Sequence, residues 1–447
     1  MGECAVGIFQ RARNILEFVP MTHPSSSPRH VCILGAGIVG LATAWRLQRD
    51  GHTVTVIDSA HSGAGASAAN GAQLSYSYVQ PLADPSIWRQ LPKLLLANDS
   101  PLKLRLRMDP HQWAWGLGFL AACRASVSRD TTARLLHLAA QSRLAFDTLR
   151  AETAMDADHS TTGKLVLYPT EAGFAAARHQ MALQRVLGSE QHALTPAECV
   201  AIEPALAHRA SHFRGAVYTP SESAADCFKV CQALEQLLRA RGVRFLLDTP
   251  VTGLVRQGSR VVEARTPAGA VHADTFVMAL GTGSRRLAAP LGLRVPVYPL
   301  KGYSITLDIQ DAADATSAPA VNITDAGRKI VFARIGQRLR VAGMAELVGE
   351  DRRISSDRID ALVSATRDMF PRAASFEDVH PWAGLRPATP KGLPVMGRLP
   401  GGPANLLFNT GHGALGFTLA FGSAEHIAAA LRQEVRPFAA GLAACSA

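Results

Sequence analysis

The stretch from His30 to Asp58 constrains this chain more than any other. His30-Val31-Cys32-Ile33-Leu34 is a short apolar run, Gly35-Ala36-Gly37-Ile38-Val39-Gly40 a glycine-rich turn, and Leu41-Ala42-Thr43-Ala44-Trp45-Arg46-Leu47 a helical pattern. Gly51 stops the helix, and Thr53-Val54-Thr55-Val56-Ile57 supplies a second buried strand that ends in Asp58. Strand, glycine turn, helix, strand and acid in this order make a dinucleotide-binding unit. Gly35 permits the tight turn, Gly37 lets a pyrophosphate approach the backbone, and Gly40 allows helix and strand to pack closely. Unpaired N–H groups at the helix start, around Ile38 and Val39, favour the phosphates. Asp58, with Ser59 beside it, stands where a carboxylate accepts the ribose hydroxyls, and its charge argues against a 2′-phosphate, which leaves FAD and NAD.

The next segment, Gly63-Ala64-Gly65-Ala66-Ser67-Ala68-Ala69-Asn70-Gly71-Ala72, is a loop of small residues in which Ser67 and Asn70 can donate hydrogen bonds. An elongated flavin must be threaded past such a loop. A second glycine centre follows a short strand at 405–410: Gly411-His412-Gly413-Ala414-Leu415-Gly416-Phe417-Thr418 opens a helix expected to run to about Leu431. Too little chain remains for a second crossing strand and acid. The reading left is a helix N-terminus placed by glycines, suited to the negative charge a reduced flavin carries near N1 and O2, with a plain packing turn as the alternative. A third piece, 274–284, ends in a turn at Gly281 and follows two alternating strands around Val251–Leu254 and Arg260–Thr266. The lack of a complete second nucleotide unit and of a redox cysteine pair disfavours an NADH-linked disulfide reductase, so electrons are expected from an organic substrate.

Length and charge bound the remaining choices. The 447 residues suffice for two or three domains, and the net charge of +10 suits a polyanion, an anionic membrane surface or acidic substrates without choosing among them. The basic residues form no recognised nucleic-acid module. Seven scattered cysteines give neither a CxxC pair nor a Cys/His cluster, so no metal site is expected; Cys227 and Cys231 share a helix face, and the reducing cytoplasm is the default setting. No run of about 18 apolar residues is evident.

With these pieces in view, the chain from about residue 30 to 435 resembles the FAD-dependent D-amino-acid dehydrogenases, within the glycine oxidase and D-amino-acid oxidase superfamily. The resemblance rests on 67–71 with Leu74-Ser75-Tyr76-Ser77-Tyr78, on Pro296-Val297-Tyr298-Pro299-Leu300-Lys301-Gly302-Tyr303-Ser304, on 341–346, on Trp382-Ala383-Gly384-Leu385-Arg386-Pro387-Ala388-Thr389-Pro390, and on 409–418. One departure is Lys391-Gly392, where the family pattern usually has an acid before the glycine. The resemblance implies non-covalent FAD, oxidation of a D-amino acid to an imino acid that water converts to a 2-oxo acid and ammonia, and transfer of electrons to a quinone-type acceptor. It also implies peripheral association with the inner face of the cytoplasmic membrane, for which 87–124, with Trp88, Lys93, Leu94-Leu95-Leu96, Lys103, Arg105, Arg107, Trp113, Trp115 and Phe119, is the candidate segment. The alternative for that segment is an ordinary helical cover.

The expected fold is α/β: a Rossmann-type FAD-binding domain (30–95, 205–290 and 380–435) interleaved with an α+β substrate domain (96–204 and 291–379) holding a mainly antiparallel sheet. Residues 1–29 are read as a disordered leader and 436–447 as a tail. Arg386 is the candidate for gripping the substrate carboxylate, because a planar guanidinium matches two oxygens. Tyr303 and Tyr78 are candidates for a phenol that bonds the substrate or closes the pocket, and His412 for orienting substrate or adjusting the flavin. The expected flavin contacts are Gly35, Gly37, Ile38, Val39, Gly40, Asp58, Ser59, Ser67, Asn70, Gly71, Val251, Gly281, Gly411, Gly413, Gly416, Phe417 and Thr418. An oxygen-using oxidase, a dehydrogenase for D-hydroxyproline or D-proline, and a non-catalytic flavoprotein assembly factor remain open as alternatives.

Overall fold

Val31 and Ile33 point to one face of their strand and Cys32 and Leu34 to the other, and all four are fully buried. A strand covered on both faces belongs in the middle of a parallel sheet. In a computed structural model, which describes residues 27–88, 102–105, 107–185, 189–311, 314 and 316–432, this is where it lies. Strand β1 (His30–Leu34) leads through helix α1 (Ile38–Arg49) to β2 (Thr53–Ile57). The six-stranded sheet runs Val395–Gly397, Leu406–Thr410, Thr275–Met278, β1, β2, Arg244–Leu246, parallel except for the first pair. One face packs on α1, the helix Cys227–Ala240 and the C-terminal helix Gly416–Leu431. Val261 and Ala264 of the three-stranded meander Gly253–Gln257, Arg260–Thr266, Gly269–His272 close the other. The first meander strand begins at Gly253, two residues later than its alternation predicts, and leaves Val251 in the approach, two residues past Thr249, whose N–H donates to the Asp58 carbonyl.

The second large sheet has nine strands and is mainly antiparallel. Near one edge, β3 (Tyr298–Asp308) pairs with β4 (Arg338–Leu347) on one side and, beyond helix α2 (Ser356–Met369) in sequence, with the edge strand β5 (His380–Ala388) on the other. Past β4 lie Ile330–Ile335, Asn322–Asp325, Lys164–Tyr168, Gly215–Thr219 and His192–Leu194. Gly215–Thr219 and β5 fall inside segments expected to build the nucleotide unit, yet both pair in this sheet. Its strands run longer than the alternating cores around 304–309, 329–333 and 339–342. The added residues are buried on both faces and carry no alternation to read.

Residues 1–26 of the expected leader, the tail 436–447, and Lys93 with Leu94-Leu95-Leu96 lie outside the described residues. The described cysteines Cys32, Cys123, Cys199, Cys227 and Cys231 are free and buried, the last two on one face of their helix. One stretch, Gly413–Leu431, is long and apolar enough to cross a membrane by composition, contrary to expectation. It packs between α1 and the long helix Ala125–Glu152, with the Phe421 ring 5.0 Å from Phe146 and 5.9 Å from Trp45. It is a core helix.

Candidate active site

The glycine turn after β1 is fixed by backbone crowding. Gly35 has φ +114°, and a Cβ there would lie 2.5 Å from the Ala279 carbonyl oxygen; one at Gly40 would overlap the carbonyl of Gly35. At Gly37 a Cβ would meet only Ser67 Oγ at 3.5 Å, so this edge of the turn is open to a ligand. Ser67 Oγ accepts from the Ile38 N–H at 3.1 Å, joining the small-residue loop to the helix start, and the Val39 carbonyl accepts from Thr43 Oγ1. At the end of β2, Asp58 Oδ2 accepts from Ala36 N at 2.7 Å and Oδ1 from Ala60 N at 3.0 Å, with exposed Ser59 beside it. A carboxylate held this way keeps lone pairs for further donors.

From Ser67 the loop passes beneath the second sheet. Ser304 Oγ donates to Ala69 O at 2.6 Å, and buried Arg340 donates to Asn70 O at 3.0 Å. Asn70 Oδ1 takes the Ala72 N–H, and Gly71 lies against Val331. Directly after β-paired Gln73-Leu74, Ser75 N donates to Thr418 Oγ1 in the first turn of the C-terminal helix, where Phe417 packs near Phe146. The turn that starts this helix, Gly411 to Gly416, meets β5 through a bridge between His412 and Ala388. Gly281 meets the same place: its carbonyl accepts from Thr410 Oγ1 at 3.1 Å, and Pro387 is its nearest neighbour. These contacts bring segments distant in sequence together where the two large sheets meet.

Arg386 stands on β5 on the face turned toward this loop. Its guanidinium lies flat across Gly302 of β3, where no side chain would fit, and Nη1 donates to Met344 O at 2.8 Å. No carboxylate among the described residues pairs with it, and burial alone lowers its pKa to about 10, which leaves it charged at neutral pH. His412 is buried, its Nε2 has no hydrogen-bond partner among the described residues, and desolvation lowers its pKa to about 3, so its ring is neutral. Tyr78 is half-buried, with Lys164 Nζ 4.5 Å over its ring.

Tyr303 is not brought to this place. It points to the opposite face of the sheet, into the cluster under α2, and its hydroxyl donates to Glu346 Oε2 at 2.9 Å. The β3 ladder explains this, since Leu300, Gly302 and Ser304 share the face of Arg386 and Tyr303 falls between them. A group not foreseen is Lys164, fully buried, donating to Ser75 Oγ at 2.8 Å and lowered to about 8 by desolvation, against an opposing effect of Glu222. Glu222 in turn accepts the Tyr76 and Ser77 N–H groups at 2.6 Å each and so shapes the segment that carries Tyr78. A polar residue alternating with Leu165 and Leu167 in a buried strand was the available signal. No cluster of three or more metal-ligating side chains occurs among the described residues.

An open phosphate turn, a ribose acid, a small-residue loop and an orphaned buried imidazole fit a dinucleotide with a ring system at its far end. A profile of the DAO family, FAD dependent oxidoreductases, matches residues 30–430. The chain belongs to this family. As a DAO-family protein it is an FAD-dependent oxidoreductase. Among its curated relatives, "D-amino acid dehydrogenase 2" of Pseudomonas aeruginosa is 47% identical over 403 residues, 90% of this chain and 94% of the relative. "D-amino acid dehydrogenase 2" of Ralstonia nicotianae is 45% identical, covering 89% and 95%. The fold matches solved glycine oxidase from Geobacillus kaustophilus with a TM-score of 0.71 at 20% identity, covering 92% of this chain and 96% of that one.

Proposed function

We propose that this protein oxidises small D-amino acids to 2-oxo acids and ammonia and passes the electrons to a quinone-type acceptor. The observation that carries the reading is Arg386: a desolvated cation with no carboxylate partner among the described residues, lying flat across Gly302 and bonded to Met344 O. The names of the relatives support the D-amino acid class. When bound, FAD supplies the two-electron acceptor for the hydride that leaves the substrate Cα. Arg386 fixes the carboxylate through paired charge-assisted bonds, which orients that hydrogen without a strong base. Tyr78, on its arm anchored by Glu222, Ser75 and Lys164, bounds the site and limits water. Neutral His412 turns an unpaired ring nitrogen to the same region, where it can hold one hydrogen bond with substrate or cofactor. The imino acid formed loses its nitrogen to water as ammonia.

For the acceptor we propose delivery at a membrane surface facing the cytoplasm. Met108, Trp113 and Leu117 are exposed, the last two on one helix face four residues apart; Trp88, also exposed, donates its Nε1 to Cys123 O at the end of the same helix. Lys103, Arg105 and Arg107 lie just before that helix. The test of the reading is Arg386→Leu: we expect KM for D-alanine to rise roughly 100-fold with FAD still bound, from the loss of bidentate charge-assisted bonds. Unchanged KM would remove Arg386 from the site. Reoxidation of the reduced enzyme by quinone, but not by air, is expected; rapid reoxidation by air would make the protein an oxidase.

A further inference from the structure

The carbonyl that clamps Arg386 comes from an irregular point in the sheet. Between β3 and β4, Lys301 pairs with Glu346 and Tyr303 with Gly343, so β4 carries one residue more than its partner. The extra residue is absorbed at Met344, whose φ is +61°, a left-handed conformation that strains any residue other than glycine. The bulge aims the Met344 carbonyl at Arg386 Nη1, 2.8 Å away, while Gly302 on β3 clears the space in which the guanidinium lies. Such strain persists only where neighbours over-determine it. Here the neighbours lie on the opposite face. Glu346, two residues past Met344, accepts Tyr303 Oη at 2.9 Å and Arg358 Nε of α2 at 2.7 Å, and all three side chains are buried.

We propose that Tyr303, Glu346 and Arg358 form a positioning network that acts through the Met344 bulge to set the orientation of Arg386. Tyr303 thus serves the site from behind the sheet and touches neither substrate nor cofactor. The inference rests on the reading of Arg386 as a carboxylate binder. It predicts that the network tunes carboxylate affinity, because a guanidinium tilted by a relaxed bulge loses the fit of its two donors, while the limiting rate of flavin reduction stays near its original value.

The experiment titrates FAD-loaded protein with benzoate, followed by the flavin absorbance, and measures flavin reduction by D-alanine under anaerobic conditions. Tyr303→Phe removes one hydroxyl and is expected to weaken benzoate and raise the D-alanine concentration for half-maximal reduction about fivefold, with the limiting rate changed less than about twofold. Met369→Ala removes buried packing from the same helix without touching the network; it is expected to lower Tm with benzoate affinity unaltered. The proposal is overturned if Tyr303→Phe binds benzoate like the parent, or if Met369→Ala weakens it as much. It is overturned too if the parent protein binds no benzoate at all. Should the parent bind benzoate, with the expected loss in Tyr303→Phe, yet be reduced by no D-amino acid, the network stands and the proposed reaction falls.

Discussion

Two turns in this protein share the pattern GxGxxG, and the structure makes them different devices. At Gly35–Gly40 the outer glycines are required by the protein's own backbone: the Ala279 carbonyl crowds Gly35, and the Gly35 carbonyl crowds Gly40. A second strand and Asp58 complete the nucleotide unit. At Gly411–Gly416, among the described residues, Gly411 meets the Thr389 side chain, Gly413 has φ +57° with nothing within 4 Å of a Cβ, and a buried His412 leaves Nε2 without a partner. The first turn is built from within; the second is shaped around open space and one orphaned donor or acceptor. A glycine pattern therefore identifies a turn, and what crowds or fails to crowd each glycine identifies its use.

The comparison can be broken by substitution. Gly40→Ala should have the largest effect: the added methyl meets backbone that cannot move aside, costing about 3 kcal/mol, so the purified protein should lose most of its FAD and melt lower. Full flavin content would contradict the crowding. A smaller effect comes from His412. Its folded pKa is lowered to about 3 while the unfolded chain takes up a proton near 6.5, so stability from this group is whole above pH 6.5 and drains away as pH falls toward 3. Between pH 7 and 5 the loss is about 2 kcal/mol. Thermal melts of His412→Asn should therefore be flatter over that range than those of the parent, and parallel curves would show that His412 is not held neutral. The smallest effect is expected at Gly413→Ala, where space is open and only the left-handed φ is strained, for about 1 kcal/mol with FAD retained.

The nucleotide unit was legible because its signals are local: a two-sided apolar strand, a turn, a helix and an acid lie within thirty residues. What could not be read was long-range. Tyr303 has a tyrosine's ordinary claim to a pocket, but its face depends on ladder register, and Gly302 next to it was the residue that mattered to Arg386. A glycine inside a strand is a signal of close approach, yet it does not say what approaches. The bulge at Met344 is signalled only by Gly343 beside it, which does not say that the neighbouring methionine takes the positive φ. Lys164 and Glu222 meet the loop that carries Tyr78 across 89 and 146 residues of chain, beyond any periodicity. The apolar run in Gly413–Leu431 lacks charge apart from Glu425, which pairs with Arg46, because it packs between two helices, and composition does not separate that from lipid.

The central claim is that this FAD enzyme draws electrons from D-amino acids. Its most direct test is anaerobic bleaching of the flavin absorbance near 450 nm on adding D-alanine, D-proline and D-hydroxyproline beside their L-forms. The account predicts bleaching by D-forms only, reversed by quinone. A flavin that stays oxidised with every amino acid, or is bleached by the L-forms alone, would contradict it.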